Sequence, residues 1–476
     1  MKMKRLQLFR STFTISQLVG WRRKKMGWLN NRYKITLLLM LGMSIMATAQ
    51  TRRDPRALAL AGAYGSLARG IFAIDYNPAN LAIPHEYHSY RIFGGFGTNV
   101  STNFLSIKQY QKYNGKDLEA GNGHLKKEFM NDIPDEGWRV FTDIYFPLPL
   151  ISYSTYNRAI SSDLIVIGDL GLPKDLLNLV FDENPIGETL DLDFNEEVMA
   201  VIQWGYSLAF PVGNIFLGFT AKYLQGLAYI GLNPDSSYGS VTTYFEPERT
   251  YIDGYGQYYF QQSLGGRGFA LDIGLTTEEL NGYRLGLSLT NLFGSITWNK
   301  STLLSRSVSA EKVLPWEGNF YKYVFSIDEA RFDKFFGKAS VDDVFHGEGY
   351  KIKDTTAFRV KYPSLVRFSA AKILEENITL ASDLVVGFED RLYSFGAWKW
   401  CLGLESTKSQ RFPLRVGLSF GGHSSRELTF GSGFHWGLIH LDWALGFNHG
   451  LWPTTTTGLN FNMLCYSTKR ANTSYR

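Results

Sequence analysis

Cysteine is nearly missing, with only Cys401 and Cys465 in a chain of 476 residues. Exported proteins held together by disulfides carry more, so a disulfide scaffold is excluded. A Cys401–Cys465 bridge is sterically open from sequence, but two free thiols are the expectation. Acidic residues are absent from positions 1–49, which hold ten Lys and Arg. The rest of the chain carries 39 basic against 44 acidic residues. The formal charge of +5 therefore belongs to the leader and gives no argument for a nucleic-acid partner. Beyond that leader there is no run of 18 apolar residues, so no transmembrane helix is predicted. None of the eight histidines stands in H-E-x-x-H or another close metal spacing. No phosphate-binding loop and no dinucleotide fingerprint opens a helix, and no cofactor is expected. "GLSFG" at 417–421 fits the nucleophile-elbow pattern, but that elbow requires a strand-to-helix turn. Ser419 lies inside an alternating run, so the chain is not read as an enzyme.

Aromatics reach 15% and glycines number 47, both high for an ordinary soluble domain. The leader resembles a secretory signal peptide spanning 1–49. "KITLLLMLGMSIMATAQ" gives a basic flank, a short apolar run and an Ala47-Thr48-Ala49 cleavage pattern before Gln50. Met26 is an alternative start.

Strict alternation fills the C-terminal half. In "FPLRVGLSF", Leu414, Val416, Leu418 and Phe420 oppose Arg415, Gly417 and Ser419. Phe430, Phe434 and Trp436 oppose Gly431, Gly433 and His435, while Leu441 and Trp443 oppose His440 and Asp442. Earlier runs set Phe269 against Asp272, Leu285 against Arg284, and Leu384 against Asp383. Period two is the strand period. A soluble β-sandwich also alternates, but its polar face meets bulk water and is rich in Lys, Glu and Thr. Here that face is mostly Gly, Ser, Ala and Asn, with about one charge per strand, which suits a confined lumen. Large aromatics sit near the ends of the apolar faces, as at membrane interfaces. The fold class expected is all-β: a transmembrane antiparallel β-barrel, whose closure satisfies every backbone polar group in lipid. Counting the runs from Tyr87 to Tyr466 gives roughly 14 strands.

The polar face supplies the candidate lumen residues: Lys222, Asp272, Arg284, Arg367, Asp383, Arg415, His435, His440 and Asp442. Burying them unpaired would be costly, so a salt-bridge network is expected over a ligand site. A hairpin would bring His435 and His440 close together, but the two are read as ordinary hydrogen-bonding residues of the lumen. The pieces 110–145, 171–196 and 299–355 do not alternate and read as partly helical loops outside the membrane. "PKDLLNLVF" opens with Pro173, and "SIDEARFDKFF" spaces Phe332, Phe335 and Phe336 as a helix would.

Residues 57–82, "ALALAGAYGSLARGIFAIDYNPANLA", are small-residue-rich and break at Asn77-Pro78, a turn signal. Gly62-Ala63, Ala68, Ala73, Tyr76, Asn77-Pro78-Ala79 and Leu81-Ala82 resemble the N-terminal motif of the FadL-like outer-membrane proteins. Arg69-Gly70 and Asn80 depart from it, where an acidic pair and a Gly are usual. "LGFTAKYLQGLAYIGL", "GGRGFALDIGL" and "LGLSLTNLFGSITW" resemble successive family strands, in particular those of uncharacterised Bacteroidetes-type members. The resemblance implies a 14-stranded barrel over 87–468 and a hatch over 50–86 inside the lumen. Its hatch residues would be Gly62, Ala63, Ala68, Arg69, Asp75, Tyr76, Asn77, Pro78, Ala79 and Asn80. It also implies a bacterial outer-membrane location, contact with outer-membrane lipid, and passive transport of a hydrophobic or amphipathic small molecule. The alternative it leaves open is a non-transporting scaffold with secretion-system partners, as in PorV-type members.

Overall fold

The alternating runs do form strands, and their partners are mostly their sequence neighbours. The computed structural model describes residues 54–84, 87–118, 123–181, 186–247, 249–300, 314, 318–331, 346–352, 356–375, 377–389, 391–392, 396–422, 425–450 and 452–470. The signal-peptide reading and the Met26 start lie outside these described residues.

Fourteen strands make a closed antiparallel ring. They are β1 Tyr87–Thr102, β2 Trp138–Pro147, β3 Arg158–Leu172, β4 Asn195–Val212 and β5 Ile215–Leu232. Then come β6 Arg249–Thr277, β7 Tyr283–Trp298, β8 Leu365–Glu375, β9 Ile378–Gly387 and β10 Trp398–Ser406. β11 Leu414–Gly421, β12 Arg426–Trp436, β13 Ile439–Asn448 and β14 Gly458–Arg470 complete it. Each strand pairs with the next, and β14 returns to β1 with Tyr87 opposite Arg470 and Phe96 opposite Met463. Closure leaves no ladder edge, which is what permits such a wall to stand in lipid. β2 is interrupted at Pro147 and resumes as Tyr153–Thr155, still between β1 and β3.

The connections at one end are short: 213–214, 278–282, 376–377 and 437–438. Both chain ends of the ring, Tyr87 and Arg470, leave at that end. The opposite end carries the long excursions, including 103–137, 173–194 and 299–364. Helix α1 Pro55–Ala59 precedes the ring in sequence, and α2 Ile107–Tyr113, α3 His124–Asp132 and α4 Lys174–Phe181 belong to the long excursions between strands. α2 is closed by a Ser106/Gln109 capping box. Tyr113 donates to Asp132 at 2.6 Å, which ties α2 to α3.

The outward side is apolar. Leu414 is 63% exposed and Phe269 69% exposed, and Phe430, Phe434, Trp443 and Leu384 are also exposed. Their neighbours Arg415, Asp272, Asp442 and Asp383 are buried. In a soluble protein this distribution would be inverted; around a closed ring it marks a membrane-spanning barrel. Cys401 faces inward and is buried, whereas Cys465 shares the outward parity of Met463, and both are free thiols.

Three loop expectations are corrected. Trp138–Pro147 is a barrel strand, so the loop reading of 110–145 ends before it. The helix expected across 326–336 is absent from its described part: Phe320–Arg331 is a strand, and Phe332, Phe335 and Phe336 lie outside the described residues. His346–Ile352 is also a strand. The reason is β6. Its first half, 249–261, runs past the barrel and offers two free edges. Tyr238–Glu246 pairs with one edge, Phe320–Arg331 with the other, and His346–Ile352 with the latter. Strand pairing there overrides local helical spacing. Leu190, Leu192, Val241, Ile252, Tyr258, Phe325 and Ile327 form the core of this accessory sheet.

Candidate functional site

Residues 54–83 pack against the inward side of the ring. The sequence dictates their local shape. Asp54 caps α1, its carboxylate accepting from the Arg56 N–H, with Pro55 at the first helical position. Asn77 caps a 3₁₀ turn, Pro78–Ala82, and its side chain accepts from the Ala79 N–H at 3.1 Å. Between them the chain turns repeatedly, with Gly62 at φ 97° and Gly70 at φ 58°, conformations that glycine adopts without strain.

Inward-facing strand side chains hold this segment by its backbone. Asp383 Oδ2 accepts from the N–H groups of Tyr64 (3.1 Å) and Gly65 (2.8 Å). Arg367 donates to the Gly62 carbonyl at 2.8 Å and to Asp383 at 2.9 Å. Thr429 donates to Ala59 O, Ser288 to Tyr76 O, and Asn77 to Leu275 O. Asn80 reaches back to Gly65 O at 2.7 Å. Buried backbone groups of an irregular segment thus find partners that a helix or sheet would otherwise provide.

Charges form two further clusters. On the first, Glu405 accepts from Arg56 at 2.8 Å and from Arg415 at 2.7 Å. Arg415 continues to Asp442 at 3.0 Å, and Asp442 to His435 at 3.1 Å. On the second, Lys222 lies 2.8 Å from Asp272 and 3.7 Å from Asp75, and donates to Asn291. These ion pairs include the 54–83 segment through Arg56 and Asp75. His435 and His440 lie across the β12–β13 hairpin with ring centroids 4.5 Å apart, and each has a hydrogen-bond partner, Asp442 for His435 and Thr468 for His440. Arg284 sits apart from these clusters, paired with Glu279 at the short-turn end. Arg69 donates to the carbonyls of Ser66 and Ala68.

Sequence reasoning missed several buried ions. Lys399 pairs with Glu427 at 3.1 Å, Arg91 with Asp163 at 2.5 Å, and Arg139 with Asp169 at 2.6 Å. For Lys399 and Glu405 the signal was available, since both share the parity of Cys401 opposite Trp398, Trp400 and Leu404. For Arg91 and Asp163 it was weak, because β1 bulges between Tyr90 and Gly94 and loses its alternation. Ser419 donates to Glu427 within a strand, not at an elbow.

Two packing features complete the interior. Strand glycines are moulded to the segment. A Cβ on Gly218 would lie 2.2 Å from Ala79 N, and one on Gly417 would lie 2.4 Å from Ala61 N. In addition, one continuous apolar cluster joins the segment to the long-loop mouth. It runs from Leu60, Tyr64 and Tyr76 through Met199, Val201 and Tyr362 to Tyr229, Trp298, Phe320 and Phe358. At that mouth Tyr229 lies 5.2 Å from Trp298 and 5.4 Å from Phe358. The Trp298 indole N–H is fully buried and has no hydrogen-bond partner among the described residues.

No curated protein matches the chain. Among solved structures it is similar to the Ralstonia pickettii toluene transporter TbuX, at 13% identity and TM-score 0.44 over 88% of this chain and 98% of that one. It is similar also to the P. putida toluene transporter TodX, at 12% identity and TM-score 0.42 over 88% and 98%. A Pseudomonas aeruginosa FadL homologue aligns at 12% identity and TM-score 0.41, over 89% of this chain and 97% of that one. Residues 78–395 match the model described as "Family of unknown function (DUF5723)", and the chain belongs to that family.

Proposed function

We propose that this protein is a passive conduit of the bacterial outer membrane for apolar or amphipathic small molecules, with residues 54–83 as its internal hatch. The observation that carries the reading is the continuous apolar cluster between the aromatic mouth and the hatch. A pore for ions or sugars is lined with water and polar groups, whereas this interior offers aromatic and aliphatic side chains along one route. The buried indole N–H of Trp298 adds a single donor to that route. Such a lining suits a ligand that is mostly apolar with one polar end, since pockets of this kind bind by burial and orient by few polar groups.

The roles divide accordingly. Tyr229, Trp298 and Phe358 would receive the ligand at the long-loop side. Arg367 and Asp383 would clasp the hatch at Gly62–Gly65, and Asn77 with Pro78 would return the chain to β1. Arg56, Glu405, Arg415, Asp442 and His435 would hold the hatch's other end. A leader cleaved before Gln50 would deliver the chain across the inner membrane.

The test is entry of the apolar fluorophore N-phenylnaphthylamine into cells with a lipopolysaccharide outer leaflet. Cells expressing the protein should take it up several-fold faster than cells without it, and Tyr229→Ala with Phe358→Ala should abolish the gain. Equal uptake with and without the protein would defeat the conduit reading.

A further inference from the structure

The lumen's ion pairs leave cationic charge over at the short-turn mouth. Arg69 has no carboxylate within ion-pair distance among the described residues. Its Nη1 is taken up by the carbonyls of Ser66 (3.3 Å) and Ala68 (2.7 Å). A guanidinium carries five N–H groups, and the Nε and Nη2 groups of Arg69 have no acceptor among the described residues. The charges that act on it most strongly are cations, Arg284 first and Arg56 second, and both repel it. Arg56 is paired with Glu405. Arg284 holds Glu279 through Nη2 at 3.1 Å, while its buried Nε has no partner among the described residues. Two hydroxyls stand beside these cations. Gly286 lies two residues from Arg284 on the same inward face, and a Cβ there would stand 3.4 Å from Ser66 Oγ. The register partner of Gly286 is Ser369, whose Oγ would lie 1.9 Å from a Cβ on Gly65. Both serines are buried, and neither hydroxyl has a hydrogen-bond partner among the described residues.

We propose that Arg69, Arg284, Ser66 and Ser369 form a binding site for a small, singly charged oxyanion on the short-turn side of the 54–83 segment. Three properties select that occupant. The first is charge. Arg69 and Arg284 against Glu279 leave one positive charge uncompensated, and a buried charge without a partner is costly. A monoanion removes that cost, whereas a neutral ligand does not. The second is donor chemistry. The free guanidinium N–H groups donate only, and both hydroxyls can donate. Planar guanidinium forks match the paired oxygens of a carboxylate or a phosphodiester. The third is access. Arg284 stands two residues from the short turn at 278–282, and short turns of such barrels face the periplasm. A free periplasmic anion and the charged end of a molecule crossing the lumen present the same pair of oxygens. The site needs only the packing of the segment against β7 and β8, so it does not rest on the conduit reading.

The experiment is amide exchange over residues 64–71, read by mass spectrometry on the detergent-purified full chain. The chain is titrated with sodium acetate or sodium dimethyl phosphate, with sodium chloride holding the ionic strength constant. Either oxyanion should slow exchange there, and neither chloride nor neutral acetamide should do so. Arg69→Gln and Arg284→Gln should each weaken the response by about tenfold or more, and Ser369→Ala by about threefold. Sodium benzoate adds an apolar ring to the same carboxylate and separates the two sources. Tighter binding than acetate assigns the site to the charged end of a molecule in transit; binding no tighter assigns it to a free anion. Unchanged heat-shifted gel mobility shows that each variant still forms the closed barrel. The proposal is overturned if neither oxyanion slows exchange beyond chloride, if acetamide acts as well as acetate, or if the response survives the double variant Arg69→Gln/Arg284→Gln.

Discussion

At the scale of single residues, the interior works by close approach and by clasping. Gly218 and Gly417 have no alternative, because any side chain there would enter the backbone of the 54–83 segment. We predict that Gly417→Val costs about 1–3 kcal/mol through overpacking. The cost should fall on the segment and not on the wall: limited proteolysis should cut within 54–84 while the barrel stays intact. A barrel that fails to form would show instead that Gly417 serves the strand itself. Asp383 holds two backbone N–H groups and the Arg367 guanidinium at once. Asp383→Ala strands a buried cation and two donors, and removing one member of such a pair typically costs about 3–5 kcal/mol. The expected result is release of Tyr64–Gly65, read as faster amide exchange there than in wild type. Unaltered exchange would place the clasp elsewhere.

At the scale of elements, strands were legible and departures from them were not. Two-residue alternation placed Arg415, Asp442, Asp272 and Asp383 inside, with Leu414, Trp443 and Phe269 outside, because one slip of register would have inverted every side chain. We predict that Phe430→Arg, outward on β12, destabilises by about 2–4 kcal/mol, with a smaller cost for Trp436→Arg at the strand's end. Refolding into lipid vesicles under a urea gradient measures both; equal costs would refute the depth assignment. The accessory sheet was not legible. "SIDEARFDKFF" carries helical spacing locally, yet its first half pairs with residues 251–255 of β6. Only the partner strand decides that outcome, and it stands about 70 residues away in sequence. The ion pairs Arg91–Asp163 and Arg139–Asp169 were hidden for a related reason, since each joins residues whose runs bulge or start at a loop. The 54–83 segment was recognisable by its turn chemistry at Asn77-Pro78. Its backbone clasps were not, because they depend on which strand faces which turn.

At the scale of the whole molecule, closure and filling are separable. The ring is completed by β14 against β1 with no contribution from residues 54–83. We predict that deleting 55–82 leaves a heat-modifiable barrel whose conductance in a planar bilayer exceeds that of the intact chain. Unchanged conductance with a folded ring would remove the hatch role. The path of the segment has a mechanical consequence. Arg56 meets Glu405 one residue from the short-turn end of β10. Gly62–Gly65 reach Arg367 and Asp383 farther along their strands, and Asn77 comes back to Leu275 near the short-turn end of β6. Both feet of this path stand at the same mouth, so the segment is an arch. A load applied from the long-loop side compresses it against two abutments, Glu405 and the Leu275 carbonyl, and is shared among all its clasps in parallel. A pull on the N-terminus from the short-turn side peels the same clasps one after another, each rupturing alone. Pulling single molecules from the N-terminus should therefore give a low-force, stepwise extension, although the same bonds resist together when pressed from outside.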